Sequence, residues 1–128
     1  ALLLNITEKY QQALNYAKRG LNIHTRFKNK QGMTFSNELC AIAYFNANAF
    51  KKAQKAINKA YRYNHQHKNT NASLENLFIM TKIHLINKEY TKAQKTYQEM
   101  QKIYLHNRTC FSKQSMLELE NLIGQCKK

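Results

Sequence analysis

Proline, tryptophan and aspartate are absent from these 128 residues, and glycine occurs only three times. A chain this poor in helix breakers favours helices over turns and loops. No run alternates apolar and polar residues between turn clusters, which leaves strands unsupported. The three cysteines, Cys40, Cys110 and Cys126, are odd in number and lack a CxxC spacing, so a disulfide framework is not expected and reduced thiols in a cytoplasmic setting fit better. No apolar run reaches the length of a membrane span, and the opening leucines are too few for a signal-peptide core. A phosphate loop, GxSxG and HExxH are all missing. All seven acids are glutamate. Glu118 and Glu120 stand two apart and so point to different helix faces. Paired-carboxylate chemistry is poorly supplied, and the chain reads as a non-enzyme with no cofactor and no metal.

What is present is a 40-residue echo: Lys9-Tyr10-Gln11-Gln12-Ala13, Ala49-Phe50-Lys51-Lys52-Ala53 and Glu89-Tyr90-Thr91-Lys92-Ala93. Each pairs an aromatic with an alanine three residues on, so both lie on one helical face. Apolar steps of three and four predict helices over Thr7 or Glu8 to about Phe27, 34–46, 49–63, 72–86, 89–106 and 112–125. Thr7 is the expected N-cap of the first. Linkers are expected at 28–32, with Gly32 as the turn residue, and at 64–71 and 107–111, with tight turns at 46–48 and 87–88. Leu2, Leu3 and Leu4 read as the end of a preceding helix, and with no initial Met the chain reads as a fragment of a longer protein. The last helix, with Met116, Leu119, Leu122 and Ile123 as its apolar stripe, is expected to cap the array.

Net charge is +14, with 21 basic residues, of which only four are Arg. The lysines are scattered and no run of five occurs, which suits solvated helix faces in a Lys- and Asn-rich composition. The competing reading is an acidic partner. Three glycosylation sequons, at Asn5, Asn71 and Asn107, are expected by chance in so much asparagine. His65 and His67 lie in an expected linker without a cysteine or acid at zinc spacing, and His84 and Cys40 fall on packing faces.

The repeat resembles the tetratricopeptide repeat, a pair of antiparallel helices with small residues at their crossing. Ala41 and Tyr44 match its first helix, and Phe50, Ala53, Ile57 and Ala60 its second; Thr81, His84, Tyr90, Ala93, Tyr97 and Met100 repeat the pattern. Tyr10, Ala13, Ala17 and Gly20 match a lone second helix, so the likeness covers about residues 1–106. The usual tryptophan is replaced by Asn37 and Leu77, and the terminal proline is missing. The resemblance implies an all-α fold, an α-α superhelix of period about 40. Its units are expected at about 1–31, 32–71 and 72–111, with a capping helix at 112–126, all in one domain. In style the chain is similar to the C-terminal half of Gram-positive peptide-sensing regulators, the Rap, PlcR, NprR and Rgg group.

That likeness implies a short peptide or partner-protein segment held in a concave groove, a possible homodimer, and DNA contact only through a domain outside this chain. Carried over, the groove residues are Glu38, Ile42, Phe45 and Asn46 from one unit and Glu75, Phe78, Lys82 and Leu85, with Ile86, from the next; Asn5 lies near its edge. Asn46 can donate to and accept from a peptide backbone, Lys82 can meet a carboxylate, and Phe45 and Phe78 can form apolar pockets or serve as core. The alternatives are a protein–protein scaffold without a small peptide ligand and a basic helical-repeat nucleic-acid binder.

Overall fold

The computed structural model describes residues 2–106 and 111–126, with side chains from 8 to 106 and from 111 to 125. These residues form six α-helices: α1 (Leu2–Arg26), α2 (Lys30–Asn46), α3 (Phe50–Gln66), α4 (Thr70–Ile86), α5 (Tyr90–His106) and α6 (Lys113–Cys126). No strand occurs among the described residues. The fold is an all-α helical repeat in which pairs of helices recur at about 40 residues.

The repeat is finer than the aromatic echo suggests. Lys28, Asn48, Lys68 and Lys88 adopt positive φ, between 56 and 62°, at intervals of 20 residues. Around each, the chain makes the same two bonds. Asn29, Ala49, Asn69 and Glu89 donate their amides to the carbonyls of His24, Tyr44, Asn64 and His84, five residues back, at 2.8–2.9 Å. Lys28, Asn48, Lys68 and Lys88 donate to the carbonyls of Thr25, Phe45, His65 and Leu85. These are Schellman closures, which satisfy the last carbonyls of a helix through one left-handed residue. The second residue of each then opens the next helix, its carbonyl accepting from Met33, Ala53, Ser73 or Ala93. Turns this short reverse the chain within three residues.

Glycine is absent from all four left-handed positions, although a side chain there costs about 1–2 kcal/mol. Lys68→Gly and Lys88→Gly should therefore each raise stability by roughly 0.5–1 kcal/mol after the extra chain entropy of glycine is deducted. Urea unfolding of each variant measures it, and an unchanged midpoint would mean that the lysine side chains hold these turns in some other way.

Several boundaries differ from those expected. Helix α1 runs back through Thr7 to Leu2, so Thr7 is not an N-cap, and Leu2–Leu4 belong to α1 rather than to a preceding helix. Gly32 lies inside α2, whose N-cap is Asn29: its side-chain oxygen accepts from the Gly32 amide at 3.0 Å. The polar stretch 64–71 is mostly helix, because α3 continues to Gln66 and α4 begins at Thr70. The side chain of Asn5, residues 107–110 with Cys110, and the side chain of Cys126 lie outside the described residues.

The chain forms two compact units, 1–63 and 64–128. In the first, α1 packs on α2. Its core is Leu14, Ala17, Cys40, Ala41, Ala43, Ala53, Ala56, Ile57 and Ala60. Small residues dominate there because they let helix axes approach closely. In the second, α4 packs on α5, and α6 packs on both. Leu74, Leu77, Ile83, Ala93 and Met100 are buried there with Met116, Leu119 and Ile123 of α6. Thr81 marks the α4–α5 crossing: its hydroxyl donates to the Leu77 carbonyl at 2.8 Å and lies 2.7 Å from that of Thr96.

Candidate peptide-binding surface

Helix α2 is apolar on two faces. Ser36, Cys40, Ala41 and Ala43 are buried, while Phe35, Leu39 and Ile42 leave 60%, 38% and 45% of their surface exposed. The three are spaced i, i+4 and i+7, so they form one outward stripe. A helix that is apolar beyond its core face covers something or is covered by something. Beside this stripe, α1 and α2 enclose an open, mostly apolar groove of about 310 Å³. Tyr10, Ala13 and Tyr16 form one wall, and Leu39, Ile42 and Asn46 the other.

Two of the expected site residues, Ile42 and Asn46, therefore share one groove. Asn46 is exposed there and presents both donor and acceptor. Glu38 is half-buried on α2. Phe45 is half-buried, and its ring meets that of Phe50 edge to face, with centroids 5.5 Å apart. Leu39, Phe35, Tyr10 and Tyr16 were not among the expected groove residues. For Phe35 and Leu39 the signal was the second apolar stripe of α2, offset from the core stripe.

On the second unit, Glu75 is exposed and Leu85 half-buried, while Ile86 is exposed at the end of α4. The half-buried Phe78 packs edge to face on Phe111 at 5.9 Å. Lys82 lies 4.6 Å above the Phe78 ring and 3.6 Å from the Glu118 carboxylate of α6. A ligand carboxylate at Lys82 has to compete with Glu118. Sequence spacing could not show this, because the two residues come from different helices.

His84 is buried and its Nδ1 lies 3.2 Å from a Glu89 carboxylate oxygen; Lys92 donates to the other oxygen at 3.0 Å. The Lys92 bond foremost, and then the His84 bond, hold the Glu89 carboxyl below its ordinary range. Burial pushes the Cys40 thiol up, against a smaller opposing pull from Lys18. A thiol so raised stays protonated and is a weak nucleophile. Burial likewise raises Tyr97, whose hydroxyl donates to the Met116 carbonyl at 3.4 Å. Among the described residues, no three His, Cys, Asp or Glu side chains come together as metal ligands. No helix there is long and apolar enough to cross a membrane.

No family model, curated protein or solved structure matches the sequence.

Proposed function

We propose that this chain is a tetratricopeptide-type binding module that takes a short peptide along the outward face of α2, as the peptide-sensing regulators do. The exposed Phe35, Leu39 and Ile42 stripe, bordered by the α1–α2 groove, carries this reading. Apolar side chains of the peptide lie on the stripe, and Asn46 bonds its backbone. Under the same proposal, the bound segment biases helix packing and passes a signal to an output domain outside this chain. Ligand binding shifts such an equilibrium only by its differential affinity for the two packings, so the peptide must contact at least two helices. The groove between α1 and α2 supplies that arrangement in one unit.

A second reading, a scaffold for a partner protein, has its own support. By repeat position, Tyr10, Ala13, Tyr16 and Ala17 correspond to Phe50, Ala53, Ala56 and Ile57. In α3, Ala53 and Ile57 are fully buried, and Phe50 meets Phe45 of α2. A helix from a partner would cover Tyr10, Ala13 and Tyr16 of α1, which line the groove.

Isothermal titration of the chain with short apolar peptides encoded beside its gene tests the leading reading. Saturable binding should weaken at least tenfold in a Leu39→Gln, Ile42→Gln double variant with unchanged helicity by circular dichroism. Undiminished affinity in that variant would remove α2 from the site. Binding only of peptides long enough to form several helical turns would favour the scaffold.

A further inference from the structure

The lysines that look scattered along the chain are gathered by the fold. Residues 1–63 hold eleven Lys and Arg against two acids, Glu8 and Glu38, and so carry +9 of the net +14. Helix α3 concentrates the effect: Lys51, Lys52, Lys55, Lys59 and Arg62 lie on it without one acid. Helix formation places Lys52, Lys55 and Lys59 at i, i+3 and i+7, one side of the cylinder.

That side borders a second cleft in the first unit, of about 310 Å³ and separate from the apolar groove. Lys52, Lys55 and Lys59 form one wall, and Lys18 of α1 stands on the other. Asn37 and Tyr44 of α2 lie between them, and no acid lines the cleft. The ammonium groups of Lys18 and Lys52 each sit 5.8 Å from the centre of the half-buried Tyr44 ring. Four cations crowded without a counter-charge repel one another, and an anion seated among them removes that cost. Asn37 adds an amide donor for an oxygen anion.

We propose that this cleft binds the phosphate backbone of a single-stranded nucleic acid. The charge pattern favours phosphodiester over an acidic peptide. Lys51, Lys55, Lys59 and Arg62 follow one another along α3 at steps of four, four and three residues. Each step rises roughly 4.5–6 Å along the helix. Such a regular row of cations, of which Lys55 and Lys59 line the cleft, suits a ligand with one charge per repeating unit. An acidic peptide has no obligatory regular spacing. Lysine serves here as a point charge, which fits backbone contact without base reading. The floor supports this division, because two ammonium groups lie over the half-buried Tyr44 ring and compete with a base for stacking on it.

The test is fluorescence anisotropy with a labelled twelve-nucleotide oligo(dT), titrated at several salt concentrations. Three forms of the chain are compared: the parent, Lys55→Gln with Lys59→Gln, and Lys95→Gln with Lys102→Gln on α5. Both doubles remove the same charge, and circular dichroism confirms folding. The cleft variant should lose about tenfold or more in affinity at low salt. The slope of log K against log salt should become shallower by about 1.4, two contacts at about 0.7 each. The α5 variant should stay within about twofold of the parent. Equal losses in both doubles would show attraction by net charge alone and overturn the site. An oligoglutamate of equal charge that binds as tightly as oligo(dT), with the same loss in the cleft variant, would overturn the assignment to phosphate.

Discussion

Leucine in place of Ala53 or Ala93 should destabilise the fold by about 1–3 kcal/mol or more, whereas Ala13→Leu should change stability by no more than about 0.5 kcal/mol. The three alanines occupy the same place in the 40-residue repeat, three residues after Tyr10, Phe50 and Tyr90. Their surroundings differ. Ala53 and Ala93 have no exposed surface, whereas Ala13 is open and lines the groove between α1 and α2. Near Ala93, Thr81 of α4 lies 2.7 Å from Thr96, so the helices are already in contact at hydroxyl distance. A leucine at such a crossing forces the axes apart or takes a strained rotamer. At Ala13 the added carbons enter open space. Denaturant unfolding of the three single variants reads the difference. Equal losses at all three would mean that the α1 face is covered in solution. Ala13→Leu has a second use: it fills part of the proposed groove, so it should weaken peptide binding while leaving stability alone.

The helices were legible in the sequence because their apolar positions follow a period near 3.6, as in Ala53, Ala56, Ile57 and Ala60 of α3. The turns were not. Schellman closure normally advertises itself with glycine, and here lysine or asparagine takes the left-handed position. The one nearby glycine, Gly32, pointed instead to a residue inside α2. Polar runs such as 64–71 looked like linker because helix ends and turns share their composition; only the backbone bonds distinguish them. The candidate site divides the same way. Ile42 and Asn46 followed from the resemblance to the tetratricopeptide repeat, and they do share a groove. The capture of Lys82 by Glu118, the pairing of Phe45 with Phe50 and the lysine cleft depend on contacts between helices. A one-dimensional spacing argument does not contain those contacts.

Asn76→Leu should cost about 1–3 kcal/mol, and adding Asn64→Leu should restore part of that loss rather than double it. Asn76 of α4 is 1% exposed and Asn64, in the last turn of α3, is 3% exposed. The Asn64 amide donates to the Asn76 side-chain oxygen at 2.7 Å, and Asn69 donates to the Asn64 oxygen at 3.0 Å. Removing only Asn76 strands a buried N–H, whose full desolvation penalty then falls on the folded state. Replacing both amides removes the donor as well as its acceptor and leaves two apolar groups of similar size, although the Asn69 bond is lost with them. The double-mutant cycle should therefore show a coupling of about 1–2 kcal/mol. Additive losses would mean that each asparagine is satisfied independently. The pair also distinguishes this hairpin from its neighbour. The equivalent positions are His24 and Ser36, with Asn29 in place of Asn69. In an array of 17-residue helices joined by identical turns, apolar packing alone discriminates poorly between correct and shifted pairings. A buried polar pair that is satisfied in only one register selects it, as a single core asparagine does in coiled coils. The double-leucine variant should accordingly keep much of its stability and unfold less cooperatively, with a lower denaturant slope. A slope unchanged from the parent would leave the pair with a role in stability alone.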